Sequence, residues 1–269
     1  MTGPWARRRR DMLRKTRRME LCRPAFWDRQ AAEFDGDTAL MKDLTDGQME
    51  RIRLSPEWAV LDAGAGTGRL TIPLARRVRT VHALDPSPAM LDLLKTRAAK
   101  EGLDNIRCLA KPLEKLAGKD LDGVDVAIAS FSLFMIDIEK ALRTLDGIAA
   151  ESVYLFLSAS RSKDDDLLDI IGRTASPWPD CVYVENILRE MGIPARRDIW
   201  PYIIRQRYGS IEDAVARMTV SYGIPPENGG RLEAYLRKKL TEEAGTLTLT
   251  SVRKAAVLWW TKRRNTEPR

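Results

Sequence analysis

Histidine is almost missing from this chain. Of 269 residues one is histidine, His82, and it falls within a predicted strand. A histidine-centred metal site needs more ligands than that, so no metal is expected. Cysteine is nearly as scarce. Cys22, Cys108 and Cys181 lie far apart, are odd in number and form no C-x-x-C pair. That argues against both a zinc site and a disulfide framework, and the three are expected to be reduced and partly buried. No apolar run approaches the ~20 residues that cross a bilayer. The arginine-rich start is not followed by the apolar region of a secretory signal. A soluble, cytoplasmic protein with no membrane partner is expected, acting as a monomer or homodimer.

Acidic residues are scarce at the two ends. Residues 1–18 hold eight basic side chains against Asp11, or +7, and residues 253–269 hold six against Glu267, or +5. The whole chain carries +7, so the span between carries −5. The basic character belongs to the ends. Such ends can bind phosphate chains by counterion release, but a charge run is more often a solvated or flexible tail. Nucleic acid is thus a partner that the N-terminus allows and the body does not favour.

What is present in strength is a glycine pattern. Residues 60–70 read Val-Leu-Asp-Ala-Gly-Ala-Gly-Thr-Gly-Arg-Leu. An apolar strand ends in Asp62, and Gly64, Gly66 and Gly68 follow around Ala65, so the strand should turn sharply into a helix. Glycine tolerates the positive φ of such a turn and lets a ligand approach the backbone. A dinucleotide fingerprint would need glycine at position 69, which is Arg69. A second short apolar run, 80–84, ends in Asp85-Pro86-Ser87-Pro88. An acid there, about 20 residues past the glycines, can accept hydrogen bonds from both ribose hydroxyls. Ser87 is placed to cap the next helix, in which Met90, Leu93 and Leu94 share a face.

The D-x-G-x-G-x-G spacing from Asp62 to Gly68 resembles motif I of the class I S-adenosylmethionine-dependent methyltransferases. The resemblance implies an α/β fold: a Rossmann-like, doubly wound, seven-stranded and mostly parallel sheet with helices on both faces. It also implies S-adenosylmethionine as cofactor. The glycine turn would hold the cofactor's methionine and ribose, while Asp85, Pro86, Ser87 and Met90 would border ribose and adenine. Ser130 and Phe131, at the end of the fourth strand, would lie near it. Where the family often has an adenine-binding acid, this chain has Lys111-Pro112-Leu113-Glu114; backbone around Pro112 and Leu113, or Glu114, would take that part. The fourth strand ends Ala-Ser-Phe-Ser-Leu-Phe. It has neither the Asn/Asp-Pro-Pro-aromatic pattern of amino-group methylation nor a Pro-Cys nucleophile, which favours a small-molecule acceptor over nucleic acid or protein.

The pattern divides the chain into residues 1–20, a basic tail that is either flexible or a frayed helix, and 21–269, one methyltransferase domain. Within the latter, 21–55 is an N-terminal helical cap, 56–160 the cofactor-binding core and 161–269 the rest of the sheet with a helical insertion near 210–244. Strands are expected near 58–62, 80–84, 105–109, 124–129 and 153–158, and helices near 68–77, 87–100, 112–118 and 138–148. A sixth strand at 199–208 and a seventh, antiparallel, at 252–261 follow from the resemblance. An exposed connection with a rigid proline turn is expected over 161–180. Residues 24–54 read as helical. The stretch from Phe26-Trp27-Asp28 to Phe34 resembles the helix that many small-molecule methyltransferases fold over their cofactor, and equally suits a helix that simply covers the sheet. Trp259 and Trp260 are expected to pack the two faces of the sheet.

Catalytic residues are less legible. Methyl transfer from a sulfonium needs alignment and exclusion of water, and a base only if the nucleophile arrives protonated. Trp27, Asp137, Tyr183, Glu185 and Tyr202 are candidates for substrate contact. Of these Tyr183 and Glu185 would serve as acid or base if their helix faces the pocket, and each has an ordinary packing role as the alternative.

Overall fold

The computed structural model describes residues 2–15, 18–160, 165–172, 176, 180–243 and 245–262. Five parallel strands form its centre: β1 (Ala59–Ala63), β2 (Thr80–Asp85), β3 (Ile106–Ala110), β4 (Val126–Ser130) and β5 (Ser152–Ser158). The chain then adds β6 (Arg196–Tyr208), the short β7 (Leu240–Glu243) and the long β8 (Thr246–Thr261). The order is β3-β2-β1-β4-β5-β8-β6, with β7 paired to β8 off this path. β8 is antiparallel to β5, β6 and β7.

Every residue of β1 is buried, as expected for a strand with both faces covered. Leu61 and Ala63 pack with Ala127, Ala129 and Leu155 beneath α6 (Ile138–Ile148) and α8 (Asp180–Glu190). Val60 points the other way, with Val126, Ile128 and Phe156, beneath α3 (Lys42–Arg51) and α4 (Thr71–Ala75). α5 (Pro88–Lys100) contributes Leu91, Leu94 and Ala98 to a third group. Each fully buried Leu or Ile here contributes ~2 kcal/mol. The fold is therefore the doubly wound α/β arrangement, with helices on both faces. Trp259 and Trp260 pack against opposite faces, and Trp260 Nε1 also donates to Asp146 at 2.7 Å.

The ends of the chain depart from the sequence pattern. Residues 4–15, anticipated as part of a basic tail that is flexible or a frayed helix, form α1 (Pro4–Lys15), a docked helix. It buries Ala6, Arg9, Met12 and Leu13 and leaves Arg7, Arg8, Arg14 and Lys15 exposed. The apolar residues threaded among the arginines decide this, because they give the helix one burial face. The helix expected over 24–54 is divided into α2 (Pro24–Thr38), a 3₁₀ turn (Ala39–Met41) and α3.

Further corrections have local causes. Among the described residues the seven expected strands are joined by a short eighth at the sheet's edge. The extra strand, β7, lies where the sequence suggested continued helix, because the early part of β8 offers it a free edge. The helix expected over 68–77 is only α4, since Gly64, Gly66 and Gly68 all hold positive φ and delay its start. Pro73 is tolerated because it falls in the first turn, where no donor is needed. In place of a helix at 112–118 there are two 3₁₀ turns, Leu113–Lys115 and Gly118–Asp120. The helical insertion exists as α9 (Ile211–Tyr222) and α10 (Gly229–Lys239), which pack with α7 (Asp165–Ile170) on the outer ends of β6 and β8. The connection expected over 161–180 lies largely outside the described residues.

Candidate functional site

A cavity of about 810 Å³ opens at the carboxyl ends of the parallel strands. Its floor is the turn after β1. Gly64 and Ala65 N–H both donate to Leu84 O, at 2.7 and 3.0 Å, which ties the turn to β2. Asp85, at the end of β2, accepts from Gly66 N–H through Oδ2 and from Ser87 N–H through Oδ1, each at 2.9 Å. Each oxygen retains acceptor capacity toward the cavity. Burial raises the Asp85 pKa, and the two backbone donors oppose that rise.

Asp62 is more deeply placed, at 1% exposure. Thr71 Oγ1 donates to its Oδ2 at 2.6 Å. Burial pushes its pKa up to about 6, against the Thr71 hydrogen bond and the positive charge of Arg69.

The three glycines do different things. A Cβ on Gly64 would lie 2.2 Å from Ser132 Cβ, and one on Gly68 would lie 2.3 Å from Leu94 Cδ1. Those two positions are closed by the protein's own packing. Only Gly66 has an open face toward the cavity, with Phe34 Cε1 the nearest atom at 3.6 Å. Phe131, directly after β4, is the one described non-glycine residue at positive φ, 53°. Such a conformation costs on the order of 1 kcal/mol and is held only where the surroundings impose it; here its N–H donates to Phe156 O at 2.9 Å.

The opposite wall comes from the N-terminal helices. Trp27 stacks on Phe134 with ring centres 5.7 Å apart and meets Phe34 edge-on at 5.8 Å. Its Nε1 donates to Leu21 O at 2.9 Å. Asp28 accepts from Ser87 Oγ at 2.6 Å, and Asp35 pairs with Arg97 at 3.1 Å, so α2 is pinned to α5 across the glycine turn. Arg9, 5% exposed, sends its guanidinium to Met135 O at 3.0 Å and to Leu133 O.

Residues 60–150 match the family described as a methyltransferase domain. This stretch is similar to methyltransferase domains, as the glycine pattern led one to expect. The chain is 28% identical over 246 residues to an uncharacterized protein of Haemophilus influenzae, covering 88% of this chain and 89% of that one. It is 35% identical over 135 residues to the malonyl-[acyl-carrier protein] O-methyltransferase of Halorhodospira halophila, covering 48% and 44% of the two chains. The second match thus spans under half of that relative's length. Among solved structures the YcgJ protein of Bacillus subtilis shares its fold, with a TM-score of 0.57 and 15% identity over 82% of this chain and 98% of that one.

The structure sorts the anticipated residues. Asp62, Gly64, Ala65, Gly66, Asp85, Pro86 and Met90 line the cavity, as do Pro112, Leu113, Ser130 and Phe131. Gly68 and Ser87 do not: Gly68 packs on Leu94, and Ser87 caps α5 by accepting from Met90 N–H at 3.2 Å. Trp27 and Tyr202 reach the cavity. Asp137, Tyr183 and Glu185 lie outside it. Asp137 is exposed and caps α6 through Lys140 N–H. Tyr183 is buried with Met12 and Leu13 against Trp5, and Glu185 pairs with Arg197 at 2.6 Å. Lys111 lines the cavity but pairs with Asp120 at 2.7 Å.

Sequence reasoning missed a polar cluster on the far wall. Arg69 donates to Thr45 Oγ1 at 2.8 Å, Gln48 Oε1 at 2.7 Å and Ser130 Oγ at 2.8 Å. Gln48 is fully buried and also donates to Ser130. In the sequence Arg69 stood out only as the residue that breaks a dinucleotide spacing. Its partners are scattered over 85 positions, and no local pattern joins them.

Proposed function

We propose that this chain is an S-adenosylmethionine-dependent methyltransferase acting on a small-molecule acceptor. The observation that carries the reading is the cavity itself. It is built on the glycine turn with Asp62 and Asp85 and walled by α1 and α2, so its guest must fit within about 810 Å³. That volume is toward the upper end of the ~300–1,000 Å³ usual for ligand sites and leaves room for an acceptor beside a nucleoside.

The residues present fit the cofactor. Asp85 offers acceptors to two vicinal hydroxyls, and Gly66 offers an open backbone face. Pro86 and Met90 supply an apolar edge for a base, and Pro112, Leu113 and Glu114 stand at its rim. The cofactor would supply a methyl group already electrophilic on sulfur. The chain's part is then alignment and exclusion of water. The Trp27–Phe34–Phe134 cluster, roofing the glycine turn, is suited to exclusion, and the fixed backbone of Ser130 and Phe131 to alignment. Gly68 and Ser87 act through the shape of the turn rather than by contact. No base is assigned to Asp137, Tyr183 or Glu185.

Similarity over 48% of the chain to a malonyl-[acyl-carrier protein] O-methyltransferase supports an acceptor outside nucleic acid, and shorter similarities to ribosomal RNA methyltransferases support the alternative. An RNA or protein acceptor docked on the basic ends is the second reading, and the exposed Arg7, Arg8, Arg14 and Lys15 on α1 favour it. A non-catalytic cofactor-binding module is the third. Incubation with methyl-labelled S-adenosylmethionine and fractionated cell extract separates them. Label in the small-molecule fraction is the expected result. Label only in RNA or protein overturns the acceptor class, and calorimetric heat with a nicotinamide dinucleotide but none with S-adenosylhomocysteine overturns the cofactor.

A further inference from the structure

The far wall of the cavity holds two cations that the protein leaves without a carboxylate. Arg69 and Arg253 both line it, as does Tyr202. Arg69 donates to neutral oxygens of Thr45, Gln48 and Ser130. Asp62 is within Coulombic reach of it but accepts from Thr71 instead. Arg253 faces Tyr202 directly across the β6–β8 ladder and bonds its side chain. Among the described residues no carboxylate forms an ion pair with either arginine. Burying a guanidinium is costly unless an anion or good hydrogen bonds compensate, and the surroundings lower the Arg69 pKa to about 10, chiefly by burial.

The place of this cluster in the sheet matters. Asp85 is on β2, and Arg253 is on β8, four strands away in the order β2-β1-β4-β5-β8. At ~4.8 Å per strand that is about 19 Å. Arg253 is thus far from the ribose-facing acid, while Arg69, which follows β1 and bonds Ser130 at the end of β4, stands between the two. The same cavity is also lined by Leu13, Met135, Leu157, Leu168, Ile171 and Val184. A cavity that combines such apolar lining with two guanidinium groups and a phenol suits an apolar body with an anionic head. Guanidinium forks match a planar carboxylate through paired hydrogen bonds.

We infer that the acceptor is a carboxylate-bearing molecule with an apolar body, held by its carboxylate at Arg69, Tyr202 and Arg253. This rests on the proposed methyltransferase reading and specifies its substrate class. The acceptor rather than the cofactor's methionine is assigned as the source of the carboxylate because Arg253 and Tyr202 lie four and five strands from Asp85 in the sheet order.

The test uses the full chain and calorimetry, with octanoate and its neutral analogue octanamide as probes, each with and without S-adenosylhomocysteine. Octanoate should bind about tenfold or more tightly than octanamide, the difference made by charge-assisted hydrogen bonds. Arg253→Gln and Tyr202→Phe, each checked for an unchanged melting profile, should erase that preference while S-adenosylhomocysteine affinity stays within about twofold. Equal binding of acid and amide by the wild-type chain, or no binding of octanoate, overturns the inference without any variant. So does a variant that loses S-adenosylhomocysteine instead of octanoate, since the cluster would then belong to the cofactor. Failure of the wild-type chain to bind S-adenosylhomocysteine sinks the methyltransferase reading separately, and the octanoate measurement made without it still scores the cluster.

Discussion

Asp62 gives the sharpest quantitative test. Its carboxyl is 1% exposed, and burial raises its pKa from 3.8 to about 6. Between those values the folded chain holds a proton that the unfolded chain has already released. The group therefore favours folding most at low pH, and that contribution is lost as pH rises through the folded value. The gap amounts to ~3 kcal/mol when both states are fully ionised, of which ~2 kcal/mol develops between about pH 4 and about pH 7. Asp62→Asn keeps the shape and can still accept from Thr71, but has no proton to exchange. Urea unfolding of both proteins at the two pH values isolates the term, because every other titrating group largely cancels in the difference. The wild type should lose ~2 kcal/mol relative to Asp62→Asn on going to neutral pH. Parallel pH profiles, or a wild type that gains on the variant, would refute the reasoning. The physical content is that the carboxylate is kept at the floor of the cavity against its contribution to stability.

The glycine turn yields a second comparison. Gly64→Ala must seat a Cβ 2.2 Å from Ser132 Cβ at a φ of +81° and should lose ~3 kcal/mol of stability by urea unfolding. Gly66→Ala meets nothing closer than 3.6 Å; at its positive φ it should lose only ~1 kcal/mol, yet bind S-adenosylhomocysteine about tenfold more weakly by calorimetry. The reverse ranking in either assay would contradict the division of roles. Arg9→Met removes the donor to Leu133 O and Met135 O. It should cost ~2 kcal/mol and lower the melting temperature by about 5 °C, through undocking of α1. An unchanged melt would mean that α1 is not held by this side chain.

The parts of the fold that were legible in the sequence are those governed by local chemistry. Consecutive apolar residues before Asp62 and Asp85 can only be buried strands, and the three alternate glycines can only be a turn. The positions of both acids follow from chain spacing, and each is where it was expected. The orientation of helices is not local in this sense. Asp137, Tyr183 and Glu185 are chemically plausible acids and bases, but the faces on which they lie were chosen by packing. Tyr183 turns toward Met12 and Leu13 of a helix about 170 residues away, which the arginine run had disguised as a tail.

The sequence by itself determined the alternation of strands and helices and the placing of Asp62 and Asp85 at the ends of the first two strands. Each depends on neighbours within a few residues or on composition. Only the tertiary structure decided that α1 and α2 line the cavity, that β7 pairs with β8, and that Arg69, Ser130, Tyr202 and Arg253 line it together, with Thr45 and Gln48 bonded to Arg69. These residues come from five separate elements and loops, and their meeting is fixed by sheet order and helix packing, which are sums of many weak long-range contacts rather than properties of any short segment.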